Sequence, residues 1–403
     1  MEKDVFAELT KLKKEMVGSL MELVKIPAIS PQSGGKGEAE KSKFVEELCN
    51  DIGFDEIIHY DAPSRQGKRP NLIAKIKGRK SGSPRLWIIT HLDVVPPGNL
   101  KLWKTHPFAP EIRKGKIFGR GTEDNGQDLI AALYALKAIK NLGITPERDI
   151  YFAACSDEET ISKYGMKYLI NRNLFKKGDL FLVPDGGSPD GSLIQVAEKS
   201  LLWLQIETTG KQCHASIPEQ GINALEAGSY FIGRLKNLRK AFGKKDPFYE
   251  PPYSSFAPTK RLENIPNINT IPGTDTFFID CRILPCYEIS EVLKFLEKIK
   301  KEVEREKKVK IKIKIIQKEE ATKTKRHSPI AKVLKKAVER VCGVKPRVRG
   351  VGWGTCAAFV RKLGYPAVVW SKVERTAHSP NEYAKIENLL TDSKVFASVF
   401  ISL

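Results

Sequence analysis

Nowhere in the 403 residues does an apolar run approach the roughly 20 residues that a membrane-crossing helix needs. The opening stretch, MEKDVFAELTKLKKEM, is charged and amphipathic and holds no secretory apolar segment, so a cytoplasmic protein without a membrane partner is expected. Cysteine is sparse: seven residues, at 49, 155, 213, 281, 286, 342 and 356. An odd, dispersed set outlines no disulfide framework, and the close pair Cys281 and Cys286 has no second pair to complete a zinc knuckle. Internal repeats and low-complexity tracts are missing too. No recognised nucleic-acid motif accompanies the net charge of +20, so nucleic acid is not an expected partner.

What is present is a globular chain. Hydrophobic residues make up 41% and charged ones 29%, enough to bury cores, and the length exceeds one usual core, so two domains are expected. The basic excess is spread along the helices. In EKIKKEVEREKKVKIKIKIIQK, glutamates and lysines pair at helical spacing in the first half, and alternation marks a strand in the second. A solvated face is the plain reading of this charge; attraction of anionic substrates is the functional one.

From about residue 50 to 200, short apolar strands (NLIAKIKG, RLWIITHLD, IYFAACSDEE, LFLVPDGG) alternate with helical patterns such as GQDLIAALYALKAIKNLG. That alternation predicts an α/β sheet with helices on both faces, whose chemistry gathers where strands end in loops. Near residue 199 the texture changes. A strand SLLWLQIETTGK, a helix NALEAGSYFIGRLKNLRKAF, a strand or hairpin in NTIPGTDTFFIDCRILP, a long helix and an alternating strand read as a split βαβ sandwich, with DPFYEPPYSSFAP as a loop inside it. Helix returns after about 320, with Ser328 as N-cap and Pro329 at its first position, and YPAVVW is a buried strand. The expected layout is 1–198 and 320–403 as two parts of one domain, with 199–319 inserted.

Six histidines occur in the chain. His91 ends RLWIIT, and Asp93, two residues on, is placed to accept a hydrogen bond from one ring nitrogen while the other binds a metal. Asp124 stands at a helix entrance, where an aspartate serves as an ordinary cap or, among glycines 119, 121 and 126, bridges two cations. Asp157, Glu158 and Glu159 follow a buried strand directly; three like charges there repel unless cations or protons intervene. Asp185 ends another strand, and His378 follows VVW in TAHSPNEY. Carboxylates and imidazoles at several strand ends form a zinc-type donor set.

The ordered motifs THLDVVPPG, GRGTEDNGQ, SDEET, VPDGG and AHSPNEY resemble those of a zinc peptidase family. Its members include acetylornithine deacetylase, succinyl-diaminopimelate desuccinylase, aminoacylase, carnosinase and glutamate carboxypeptidase. The resemblance covers essentially the whole chain. It implies a zinc-peptidase-like catalytic domain, a mixed sheet flanked by helices, with an inserted ferredoxin-like α+β domain that acts as lid and dimer contact. It further implies two divalent ions, zinc with cobalt or manganese as alternatives. Asp124 would bridge them, His91 and Asp185 would complete one site, Glu159 and His378 the other, and Glu158 would be the general base. A cis peptide would follow Asp124. His214, in KQCHAS, would meet the oxyanion, in many relatives from the partner subunit of a homodimer. Asn269, Arg282, Gly354 and Thr355 would hold the carboxylate of a small anionic or zwitterionic acyl-amino acid. Two departures blur the substrate: Cys356 stands where many relatives have aspartate, and Asn125-Gly126-Gln127 replaces a lysine-containing run. His59, His106 and His327 match no motif.

Overall fold

A computed structural model describes residues 1–80 and 84–403. Two compact units form: Met1–Val196 with Thr324–Val348 and Thr355–Leu403, and Ala197–Lys323 with Arg349–Gly354.

In the first unit the apolar runs become a mixed sheet. Its strands lie in the order Glu56–His59, Leu72–Ile76, Ile150–Cys155, Leu86–His91, Leu180–Val183, Ala367–Val369, Leu193–Glu198. The four strands from Ile150–Cys155 to Ala367–Val369 are mutually parallel, so their C-terminal ends share one edge. All six residues of Leu86–His91 are buried, because both sheet faces are covered. One face packs Trp87, Ile89, Phe181 and Val183 against Met166, Leu169, Ala357 and Val360 of two short helices. The other meets helix Gln127–Asn141, which in turn lies against helices Glu2–Lys25 and Ile386–Ser402. That helix is apolar nearly all round because it is enclosed nearly all round: 12 of its 15 residues are buried. Each large aliphatic or aromatic side chain buried there contributes about 1.5–3 kcal/mol. Pro329 opens helix Pro329–Cys342 as expected, but the Ser328 hydroxyl makes no cap bond.

At the foot of Gln127–Asn141 two fully buried acids meet. Burial pushes Asp392 up to about 8, despite donors from the Lys372 backbone and the Gln127 amide. Burial and the neighbouring Asp392 drive Asp128 well above the usual carboxylate range. Both shifts are upward, so folding takes up protons: the stability they contribute is complete below the unfolded value near 3.8 and is lost as pH rises through about 8. Each proton of difference tilts stability by about 1.4 kcal/mol per pH unit. Asp128→Asn is therefore expected to flatten the fall of the urea midpoint between pH 5 and 8. An unchanged slope would rule out the buried acid pair as its source.

The second unit is a two-layer α+β sandwich. Its antiparallel sheet runs in the order Ser255–Arg261, Thr274–Ile283, Ser200–Thr209, Lys310–Glu319. Helices Ala224–Ala241 and Ile289–Lys307 cover one face, with Phe231, Leu235, Val292 and Leu296 packed on Leu202, Leu204, Phe277 and Ile279. The proline-rich stretch expected to be loop supplies the strand Ser255–Arg261. Pro258 is accommodated because this strand is at the sheet's edge, where the missing N–H costs no ladder bond, and the register shifts beside it. Among the described residues no helix is long and apolar enough to cross a membrane, and all seven cysteines are free.

Candidate active site

The shared edge of the parallel strands explains why distant acids and histidines converge. His91 is the last residue of its strand. Glu158 and Glu159 come three and four residues after Cys155, Asp185 comes two after Val183, and the chain leaving Val369 leads to His378. Asp124 arrives from a turn ahead of helix Gln127–Asn141. That helix begins three residues later, so Asp124 is not its cap and its carboxylate is free for other work. The peptide after Asp124 is cis, as the resemblance implies.

The five predicted ligands and Glu158 occupy one pocket. His91 Nε2 lies 3.0 Å from Asp124 Oδ1 and 3.7 Å from Asp185 Oδ1. His378 Nε2 lies 3.1 Å from Asp124 Oδ2 and 3.0 Å from Glu159 Oε2. Each oxygen of Asp124 thus faces a different histidine. Ligand atoms of His91, Glu158 and Asp185 fall within 4.8 Å of one another, and so do those of Asp124, Glu159 and His378. Two such groups sharing a wall, built from nitrogen and carboxylate oxygen only, fit a pair of divalent cations.

The electrostatics agree. Burial opposes charge on His91, yet hydrogen bonds to Asp124 and Asp185 hold its pKa well above the ordinary value. Hydrogen bonds that its ring donates to Asp124 and Glu159 raise His378 to about 11. Burial would raise Asp124, but the two histidines hold it below the usual range. Burial and then Asp185 drive Glu158 well above it, and burial and then Asp124 lift Glu159 to about 7. Four acids face two imidazoles here, and cations at the site would take the place of the protons that burial favours on Glu158 and Glu159.

Asp93 acts differently from the expectation. His91 Nδ1 donates to the backbone carbonyl of Asp93 at 2.9 Å, because the chain has left the extended strand and turned that carbonyl inward. The Asp93 carboxylate instead accepts the backbone N–H groups of Glu158 (2.9 Å) and Glu159 (3.0 Å). It fixes the acidic turn, in which Asp157, Ile161 and Ser162 all take left-handed φ values. Such conformations are held only by surrounding structure. Two buried glutamates escaped the sequence reading: Glu123, adjoining Asp124, and Glu382, inside AHSPNEY. Their positions next to ligands were the available signal.

The predicted substrate residues divide between the units. Thr355 belongs to the first, where its hydroxyl accepts from Ala357 N–H at 3.2 Å. In the second, His214 lies on a short ribbon, Cys213–His214 against Thr270–Ile271, next to Asn269, whose carbonyl accepts from Ala215 N–H. His214 Nδ1 accepts from the Ser216 N–H at 3.1 Å, which leaves the proton of the neutral ring on Nε2. Arg282 sits near the end of Thr274–Ile283. Its guanidinium is not a free fork: Nε and Nη2 donate to Asp280 at 2.7 and 2.9 Å, and Nη1 to the Gly352 carbonyl. Gly354 is nearby in sequence and faces Glu198, whose carboxylate would lie 3.8 Å from an added Cβ.

A single pocket of carboxylates and imidazoles, gathered mainly at the ends of parallel strands, offers the donor set that a metal ion takes. Residues 87–402 match the profile of peptidase family M20/M25/M40, and the chain belongs to that family. It is 38% identical, over 98% of its length and 99% of the relative's, to an uncharacterized metallohydrolase of Methanocaldococcus jannaschii. It is 25% identical to the succinyl-diaminopimelate desuccinylase of Pelagibacter ubique, covering 94% of this chain and 96% of that one. The fold matches human carnosine dipeptidase 1 with a TM-score of 0.82 at 18% identity, over 99% and 98% of the two chains. The chain is a metallohydrolase of this family.

Proposed function

We propose that the protein is a dinuclear amidohydrolase, with zinc as its metal and cobalt or manganese as substitutes, that cleaves the amide of a small N-acyl amino acid. The observation that carries this reading is Asp124, whose two oxygens face His91 and His378 at 3.0 and 3.1 Å. The ions, when bound, supply Lewis acidity and an ionised water near neutral pH. His91 and Asp185 would hold one of them, Glu159 and His378 the other, and Asp124 would serve both. Glu158 takes a proton from the attacking water and returns it to the departing amine. Asp93 keeps Glu158 and Glu159 aimed into the pocket through their backbone. His214, protonated on Nε2, donates to the developing oxyanion.

Arg282, Asn269, Gly354 and Thr355 receive the substrate's free carboxylate. Arg282 lies eight residues beyond the start of the strand that follows the His214–Asn269 ribbon, a distance of roughly 27 Å in extended chain. One copy of the inserted segment, 199–319, therefore does not bring His214 and Arg282 to one small substrate. That separation supports a homodimer joined through this segment, in which a partner supplies the ribbon. The desuccinylase name of a relative favours acylated amino acids, and the unpaired cysteines suit a cytoplasmic setting.

Turnover of a panel of N-acetyl and N-succinyl amino acids, dipeptides and carboxamide analogues, with zinc and with cobalt, tests the reading. Acyl-amino acids are expected to turn over best, and Arg282→Ala to lower kcat/KM most for substrates with a free carboxylate. Cleavage of dipeptides alone would replace the deacylase assignment, and equal losses on the carboxamides would remove Arg282 from that role.

A further inference from the structure

Resting on the two-ion reading, we propose that Glu123 and Glu382 form an exchanged latch that sets the geometry of the ion site shared by Asp124 and His378. Glu123 adjoins Asp124 in sequence, yet its carboxylate serves the His378 loop. It accepts the backbone N–H groups of Glu374 at 2.6 Å, of Thr376, and of Ala377 at 3.1 Å. Glu382 lies four residues beyond His378, yet its carboxylate serves the Asp124 turn. It accepts the N–H groups of Glu123 at 2.9 Å and Asp124 at 3.1 Å, and the Arg120 guanidinium holds its other oxygen. Its own backbone carbonyl accepts from Gly119 N–H. Each ligand's neighbour thus anchors the loop that carries the other ligand.

Both latch residues are buried, at 4% and 0% exposure, where a donor left without its acceptor is costly. The His378 loop needs such anchoring. Arg375 and His378 both take left-handed φ, near 63°, and the His378 side chain is 57% exposed, so little apolar packing holds it. The Glu159 side of the pocket is fixed independently through Asp93, and His91 ends a fully buried strand. The latch therefore acts on one ion site more than on the other. Neither glutamate touches an ion; both are positioning residues.

Glu123→Gln keeps the shape of the side chain but turns an amide donor toward a backbone N–H. In the full-length, metal-free chain titrated with cobalt(II) against a competing chelator, the wild type is expected to take up two equivalents. The variant should bind one of them about 10- to 100-fold more weakly, the usual cost of losing an outer partner of a metal ligand, with the other within about threefold. The visible cobalt spectrum of the weakened site should shift, while far-UV circular dichroism of the metal-free protein stays as in the wild type. Glu123→Asp, which keeps the charge but withdraws it by one methylene, should behave alike. Unaltered affinity at both sites, equal weakening of both, or unfolding of both metal-free variants would overturn the latch. A wild type that takes up fewer than two equivalents would instead overturn the two-ion reading.

Discussion

Glu158→Ala is expected to fold, to retain its metal and to lose turnover by about 10²- to 10⁴-fold, the usual share of general acid–base catalysis. The Glu158 carboxyl sits among His91 and Asp185 with its pKa driven up by burial, the setting of a group that takes up a proton readily. Turnover and metal content measured on one preparation separate the alternatives. A variant with full activity refutes the base, and one that has lost an equivalent of metal makes Glu158 a ligand on the His91 side.

A larger loss is expected from Asp124→Asn. Asparagine matches the shape but offers one oxygen and one N–H₂, so it serves one histidine side and presents donors to the other. In the native site both oxygens are in use, at 3.0 and 3.1 Å from the two imidazoles. Metal content by mass spectrometry should fall on both sides, and turnover should drop below that of Glu158→Ala. Two retained equivalents in this variant would sink the idea of a shared ligand.

The parts of this site that the sequence disclosed were those tied to strand ends. Apolar runs closing in His91, SDEE and PDGG were readable because parallel strands must deliver their termini to one edge. The backbone partners were not readable. Whether His91 meets the carbonyl or the carboxylate of Asp93 depends on where the strand stops, a matter of one or two residues. Glu123 and Glu382 were passed over because the backbone N–H groups they accept lie about 250 residues away. Pro258 hid the strand Ser255–Arg261 because edge position, which excuses a proline, is a property of the sheet and not of the segment. The enclosed helix Gln127–Asn141 and the alternating strand Lys310–Glu319 were plain, since a helix apolar nearly all round marks enclosure and strict alternation marks a strand.

Cys155 sits opposite His91 in the sheet register, one strand away from a nitrogen ligand. Burial pushes its thiol up to about 12, and its sulfur rests against Met166. Sulfur that keeps its hydrogen does not capture soft ions. Cys155 therefore packs as a core residue, and the donors gathered at this edge of the sheet are imidazole nitrogen and carboxylate oxygen.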